Sequence, residues 1–105
     1  ILGGVPKIGD QIILSKFKKN IIKGYLIGKN INFFKSQVTG KISYSVSNNL
    51  KNAIIQILRD FKSFKIKNCN ILLSPSAASF DQYENFEMRG EEFKKLSIKY
   101  ARKFL

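Results

Sequence analysis

"GYLIGKNINFFKSQVTGKISYSV", residues 24–46, changes its apolar rhythm twice in succession, and that change decides the fold. "GYLIG" is a short apolar run bounded by Gly24 and Gly28, the pattern of a strand held between two turn residues. Residues 30–37 read as a short helix, and "ISYSV" returns to an extended pattern as the next strand. A strand, a helix and a strand in that order join parallel neighbours through a right-handed crossover.

The flanking sequence repeats the alternation. Upstream, "ILGGV" is a strand that ends in a glycine turn. Downstream, Leu50, Ala53, Ile54, Ile57, Leu58 and Phe61 recur at spacings of three and four, which puts them on one face of a helix that Ser47 or Asn48 can cap. "CNILLSP" has almost no polar alternation and is expected to be a fourth strand covered on both faces. A last helical region turns Phe93, Leu96 and Ala101 inward and Lys95, Lys99 and Lys103 outward. The expectation is one α/β domain over residues 1–105, a mostly parallel sheet flanked by helices. "ILGGV" begins as though a strand were already under way, which leaves room for an opening strand and helix upstream of Ile1 and suggests a piece of a larger protein.

Composition narrows the chemistry. Cys69 is the sole cysteine and histidine is absent, so this chain cannot form an internal disulfide, a Cys/His zinc site or a Ser-His or Cys-His catalytic pair. Cys69 reads as a small buried residue entering a strand. No apolar run approaches the length of about 18 residues needed to span a membrane, and the start lacks the pattern of a signal peptide, so a cytoplasmic location is expected. The net charge of +12 raises nucleic-acid binding as an alternative function. Against it, Arg59, Arg89 and Arg102 are the only arginines and the lysines are spread along the chain; a solvated lysine surface is the better reading, and nucleic acid is not expected as a partner.

Three stretches could carry a ligand. "GYLIGKN" fails as a phosphate-binding loop, because its spacing is one residue short and Asn30 stands where a magnesium-binding hydroxyl is needed. In "GGVPKIGD", Gly3 and Gly4 permit a sharp turn and Pro6 stiffens the approach to Lys7, a natural partner for a carboxylate. In "SPSAASFDQ", Ser79 with Gln82 three residues later fits a capping box, and Asp81 suits the positive end of a helix. Asn85 can cap a further helical segment that begins at Phe86. Helix starts carry amides that can bind an anion; on pattern alone, the same residues serve only to begin helices. Glu84, Glu87, Glu91 and Glu92 read as a solvated helix face, and no catalytic constellation or metal-ligand set appears. Both loops follow strand ends, where ligands collect in parallel sheets, so they can face one crevice.

"LLSPSAASFDQYENFEMRGEEFKKL" closely resembles the C-terminal signature of the D-glutamate-adding muramyl ligases, the UDP-N-acetylmuramoyl-L-alanine:D-glutamate ligases. "ILGGVPKIGD" resembles the glycine-lysine-aspartate loop of the same domain, and "YLIGKN" matches a strand between the two. The resemblance covers essentially the whole chain in order, and residues 74–93 are its specific part. It implies a Rossmann-like C-terminal domain that closes onto a central ATP-binding domain and brings the D-glutamate pocket with it. By motif position it implies that Lys7 pairs with one D-glutamate carboxylate while Ser79 and the backbone at Phe86 hold the other. It further implies ATP and Mg2+ as cofactors of the complete enzyme, bound mainly by residues outside this chain. D-glutamate and UDP-N-acetylmuramoyl-L-alanine would be its substrates, and the remaining ligase domains its partners.

Asp10, Asp81, Asn85, Arg89 and Gly90 also fit that pattern. Departures fall at Ile8, where a small residue is usual, at Gln11 in place of an aromatic, and at Ser76-Ala77 in place of Ala-Cys. The phosphate loop, the magnesium carboxylates and the UDP-binding domain are absent from the sequence, so this chain alone is not expected to catalyse ligation. The alternatives are a small basic nucleic-acid-binding module and an inactive remnant of a split ligase gene.

Overall fold

A computed structural model describes residues 1–4, 18–74 and 85–104, and of Lys18 and Phe86 the backbone alone. Three parallel strands form the sheet: β1 (Leu2–Gly3), β2 (Gly24–Ile27) and β3 (Tyr44–Asn48), in the order β1-β2-β3. Leu2 lies opposite Leu26 and Gly3 opposite Ile27; Gly24 to Leu26 face Tyr44 to Val46, and a bulge between Leu26 and Ile27 then shifts the register so that Ile27 faces Asn48. Asn48 absorbs the irregularity with a φ of 71°.

All four residues of β2 are buried, because helices cover both of its faces. On one side, α1 (Ile31–Val38) sets Phe34 and Val38 against Leu26, with Leu2, Ile31, Ile42 and Tyr44 around them. On the other, α2 (Leu50–Ser63) lays Leu50, Ala53, Ile54, Ile57 and Leu58 over Tyr25 and Ile27. The third helix, α3 (Phe86–Phe104), packs on α2 and adds Leu96 and Tyr100 to the same core. The alternation along β2 thus divides the interior into two apolar clusters separated by the sheet. The α/β parallel architecture and its strand, helix, strand unit agree with the sequence reading, as does the outward placement of Lys95, Lys99 and Lys103.

Three local expectations are corrected. Residues 69–74 do not form a strand covered on both faces; they run irregularly, with Leu72 67% exposed. Their link to the sheet is a pair of backbone bonds: the Ile1 nitrogen donates to the Leu72 oxygen at 2.8 Å, and Ser74 N donates to the Ile1 oxygen at 3.1 Å. One residue bonded to two that flank its neighbour is the spacing of a parallel ladder, so the segment takes the outer side of β1 without extending the sheet regularly. Cys69, expected to be buried, is exposed, although the protein around its sulfur still pushes the thiol pKa up. The cap of α2 is Asn49, whose Oδ1 accepts from Asn52 N at 2.8 Å, and not Ser47 or Asn48. The Ser47 hydroxyl is buried and donates to Gln56 Oε1 at 2.8 Å instead.

Candidate functional site

The carboxyl end of β1 is the hinge of the topology. From β1 the chain reaches β2 on one side, while the segment that follows α2 returns to the other side of β1, at residues 72–74. Such a reversal of strand order opens a crevice outside the strand ends, the usual place for a ligand in an open parallel sheet. Gly3 and Gly4 form one lip. A Cβ on Gly3 would lie 2.5 Å from the Ile27 carbonyl oxygen, and Gly4 has a φ of 120°, so both positions are suited to glycine alone.

The second lip is the turn after β2. Gly28, with a φ of 90°, donates its N–H to the Asn48 oxygen at 2.9 Å, tying the ends of β2 and β3 together. Asn30 follows, and its Nδ2 donates to the Gly4 carbonyl oxygen at 2.9 Å. This bond fastens the exit of β1 to the exit of β2 across 26 positions of sequence. In the sequence, Asn30 reads as the start of a short helix and as a misfit in a phosphate loop, not as a residue of the site. An asparagine two residues beyond a strand-ending glycine was the available signal, but its partner is distant in the chain.

Ser74, beside Ile1, and Asn85 are the described ends of the connection that contains "SPSAASFDQ". Asn85 Oδ1 accepts from Met88 N at 2.8 Å, as expected of the cap that begins a helix at Phe86. One turn on, Arg89 is buried at 7% exposure. Glu87 and Glu91 are exposed, in line with a solvated face. Among the site residues expected from sequence, Lys7 and Ser79 lie outside the described residues, as do Asp10, Asp81 and the departures at Ile8, Gln11, Ser76 and Ala77; Phe86 is the first residue of α3. Among the described residues, no group of His, Cys, Asp and Glu side chains gathers to hold a metal ion. No described helix is long and apolar enough to cross a membrane.

The opposite end of the sheet holds a polar cluster of another kind. Asp60 Oδ2, near the end of α2, accepts from Lys23 Nζ at 2.7 Å and from the Tyr25 hydroxyl at 2.5 Å. Burial pushes the Asp60 carboxyl pKa up, but the two hydrogen bonds and the Lys23 charge outweigh it and hold the group below its ordinary value. Burial, and then Asp60 itself, push the Tyr25 hydroxyl far up, so it remains a donor. The cluster joins the entry of β2 to α2 along a groove of about 730 Å³ whose lining includes Ile21, Ile22, Phe64, Ile66 and Leu72. It serves as a clasp at the amino ends of the strands, away from the crevice.

No family model matches the chain, and no solved structure matches it. Curated proteins do. The "UDP-N-acetylmuramoylalanine--D-glutamate ligase" of Nitrobacter winogradskyi is 41% identical over 96 residues, 91% of this chain and 21% of the relative. The proteins of that name from Rhodopseudomonas palustris and Bradyrhizobium diazoefficiens are 41% and 38% identical over the same shares. The chain thus spans about a fifth of the length of the curated relatives it matches. Over 91% of its length, the chain is similar to one segment of proteins named UDP-N-acetylmuramoylalanine–D-glutamate ligase.

Proposed function

We propose that this chain is the C-terminal domain of an ATP-dependent, D-glutamate-adding ligase of peptidoglycan precursor synthesis, and that its task is to bind D-glutamate and close over the reacting groups. The observation that carries the reading is 41% identity over 91% of the chain to proteins named for D-glutamate ligation. The crevice at the reversal of strand order supports it, since the two stretches assigned to D-glutamate leave that end of the sheet.

In the complete enzyme, ATP bound with Mg2+ by other domains would phosphorylate the substrate carboxylate, giving an acyl phosphate and ADP. The amine of D-glutamate would then attack that carbonyl, forming the amide and releasing phosphate. This chain contributes positioning. Lys7 offers a cation to one carboxylate of D-glutamate, while the Ser79 hydroxyl and the amide at Phe86 donate to the other. Holding the amine in line for attack can lower the barrier by several kcal/mol through proximity alone, about 7 or more in the best-oriented cases. The chain by itself would hold the amino acid and catalyse nothing.

The test is a titration of the 15N-labelled chain with D-glutamate, with L-glutamate as the stereochemical control. Saturable shifts at Gly4, Asn85 and Phe86, weaker or absent with L-glutamate, are the expected result. Equal responses to both enantiomers, or none to either, would remove the D-glutamate site from this chain. Salt-sensitive binding of RNA without a response to D-glutamate would transfer the assignment to a basic nucleic-acid-binding module.

A further inference from the structure

We infer that Asn30 is a positioning residue of the D-glutamate crevice, holding the exit of β1 through its side-chain amide; the inference rests on the function proposed above. Among the described residues, asparagine stands at the start of each of the three α-helices, as Asn30, Asn49 and Asn85. Asn49 and Asn85 behave as caps, each accepting at 2.8 Å from a backbone amide three residues on. Asn30 does not. Its side chain makes no bond to the first turn of α1, and its backbone, at φ −98° and ψ 44°, departs from the extended form usual at such a position. The amide instead donates across the crevice to the Gly4 carbonyl oxygen at 2.9 Å, in a partly buried bond.

The helix start thus forgoes its own cap, and the group freed by that choice acts on a different strand. Gly4 is the first residue past β1, and at a φ of 120° its peptide sets the direction in which the chain leaves the sheet. It also stands three residues before Lys7 in the sequence. A backbone carbonyl at a strand end has no ladder partner further along, so the orientation of this one depends on what bonds it from the side. Asn30 supplies that bond from just beyond β2, the central strand, where every residue is buried. A lip fixed in this way is preorganised, which spares the ligand the entropy of ordering it.

The experiment uses the whole 105-residue chain, titrating D-glutamate into wild type, Asn30→Ala, Asn30→Asp and Asn49→Ala, with thermal melting recorded for each. Asn30→Asp keeps the size of the side chain but removes the donor, so it tests the bond without opening a hole. The expected result is an affinity about five-fold or more lower in both Asn30 variants, the loss appropriate to one hydrogen bond. Asn49→Ala, which loses a cap outside the crevice, should melt earlier yet bind D-glutamate as wild type does. Wild-type affinity in either Asn30 variant would overturn the positioning role and leave the proposed function standing. A five-fold loss in Asn49→Ala as well would show that affinity merely follows stability, and would overturn it too. A wild-type chain with no response to D-glutamate would remove the proposed function, and this inference with it.

Discussion

Gly3 of β1 lies directly against Ile27 of β2: a Cβ placed on the glycine would stand 2.5 Å from the Ile27 carbonyl oxygen, closer than real carbon atoms approach. The obstruction includes the Ile27 backbone as well as its side chain, and backbone cannot swing aside as the tip of a side chain can. Gly3→Ala should therefore cost about 2 kcal/mol through overpacking and lower the melting temperature by roughly 10 °C. A thermal melt followed by circular dichroism measures it. An unchanged midpoint would mean that β1 does not pair with β2 at this register.

The clasp of Lys23, Tyr25 and Asp60 makes stability depend on acid. The folded state holds the Asp60 carboxyl pKa below its ordinary value, so the cluster contributes fully at neutral pH, above the unfolded-state pKa. Its contribution is lost as pH falls through the folded-state value, in the region below pH about 4. Asp60→Asn should cost about 1–3 kcal/mol at pH 7, because Lys23 loses its anion while Tyr25 keeps an acceptor. The variant should approach wild type as both are acidified, and parallel stability curves between neutral pH and that region would contradict the clasp.

Asn49 caps α2 through Asn52 N, whereas the Ser47 hydroxyl is committed to Gln56. Asn49→Ala should cost about 1 kcal/mol, within the usual range for a lost cap. Urea denaturation reads it as a lower midpoint at constant slope. If Ser47→Ala reproduced the whole effect and Asn49→Ala had none, the cap would belong where the sequence pattern first put it.

These residues also mark what sequence could and could not convey. The run Gly24 to Ile27 was legible because an interior strand is buried on both faces and needs no alternation. The same logic misled at "ILL" in residues 71–73: apolar content is equally high there, but the segment lies on the outer side of β1 and leaves Leu72 exposed. Helix extents followed from periodicity, while the choice among Ser47, Asn48 and Asn49 as cap depended on the register shift at Ile27 and on Gln56, neither of which periodicity encodes. Of the two segments expected to send loops from strand ends toward one crevice, only β1 is a strand, and most of both loops lies outside the described residues. The Asn30 bond was not legible, since its partner Gly4 is reached only when β1 and β2 pair.

The assignment of D-glutamate to the two loops predicts a specific division of kinetic effects in a complete ligase. Lys7→Ala removes the cation opposite one carboxylate, and Ser79→Ala removes a hydroxyl from the other. Neither contact involves nucleotide, so both variants should raise the D-glutamate KM about ten-fold or more, the loss appropriate to one charge-assisted hydrogen bond, while the ATP KM moves little. A contact that also orients the amine would lower kcat as well, because the acyl phosphate then waits longer for a correctly placed nucleophile. Steady-state kinetics on a chimera joining the preceding four-fifths of the Nitrobacter winogradskyi ligase to this chain would measure both effects in one background. Equal rises in the two KM values would show that the loops act on closure of the whole enzyme and not on the amino acid, and would require the D-glutamate carboxylates to be placed elsewhere.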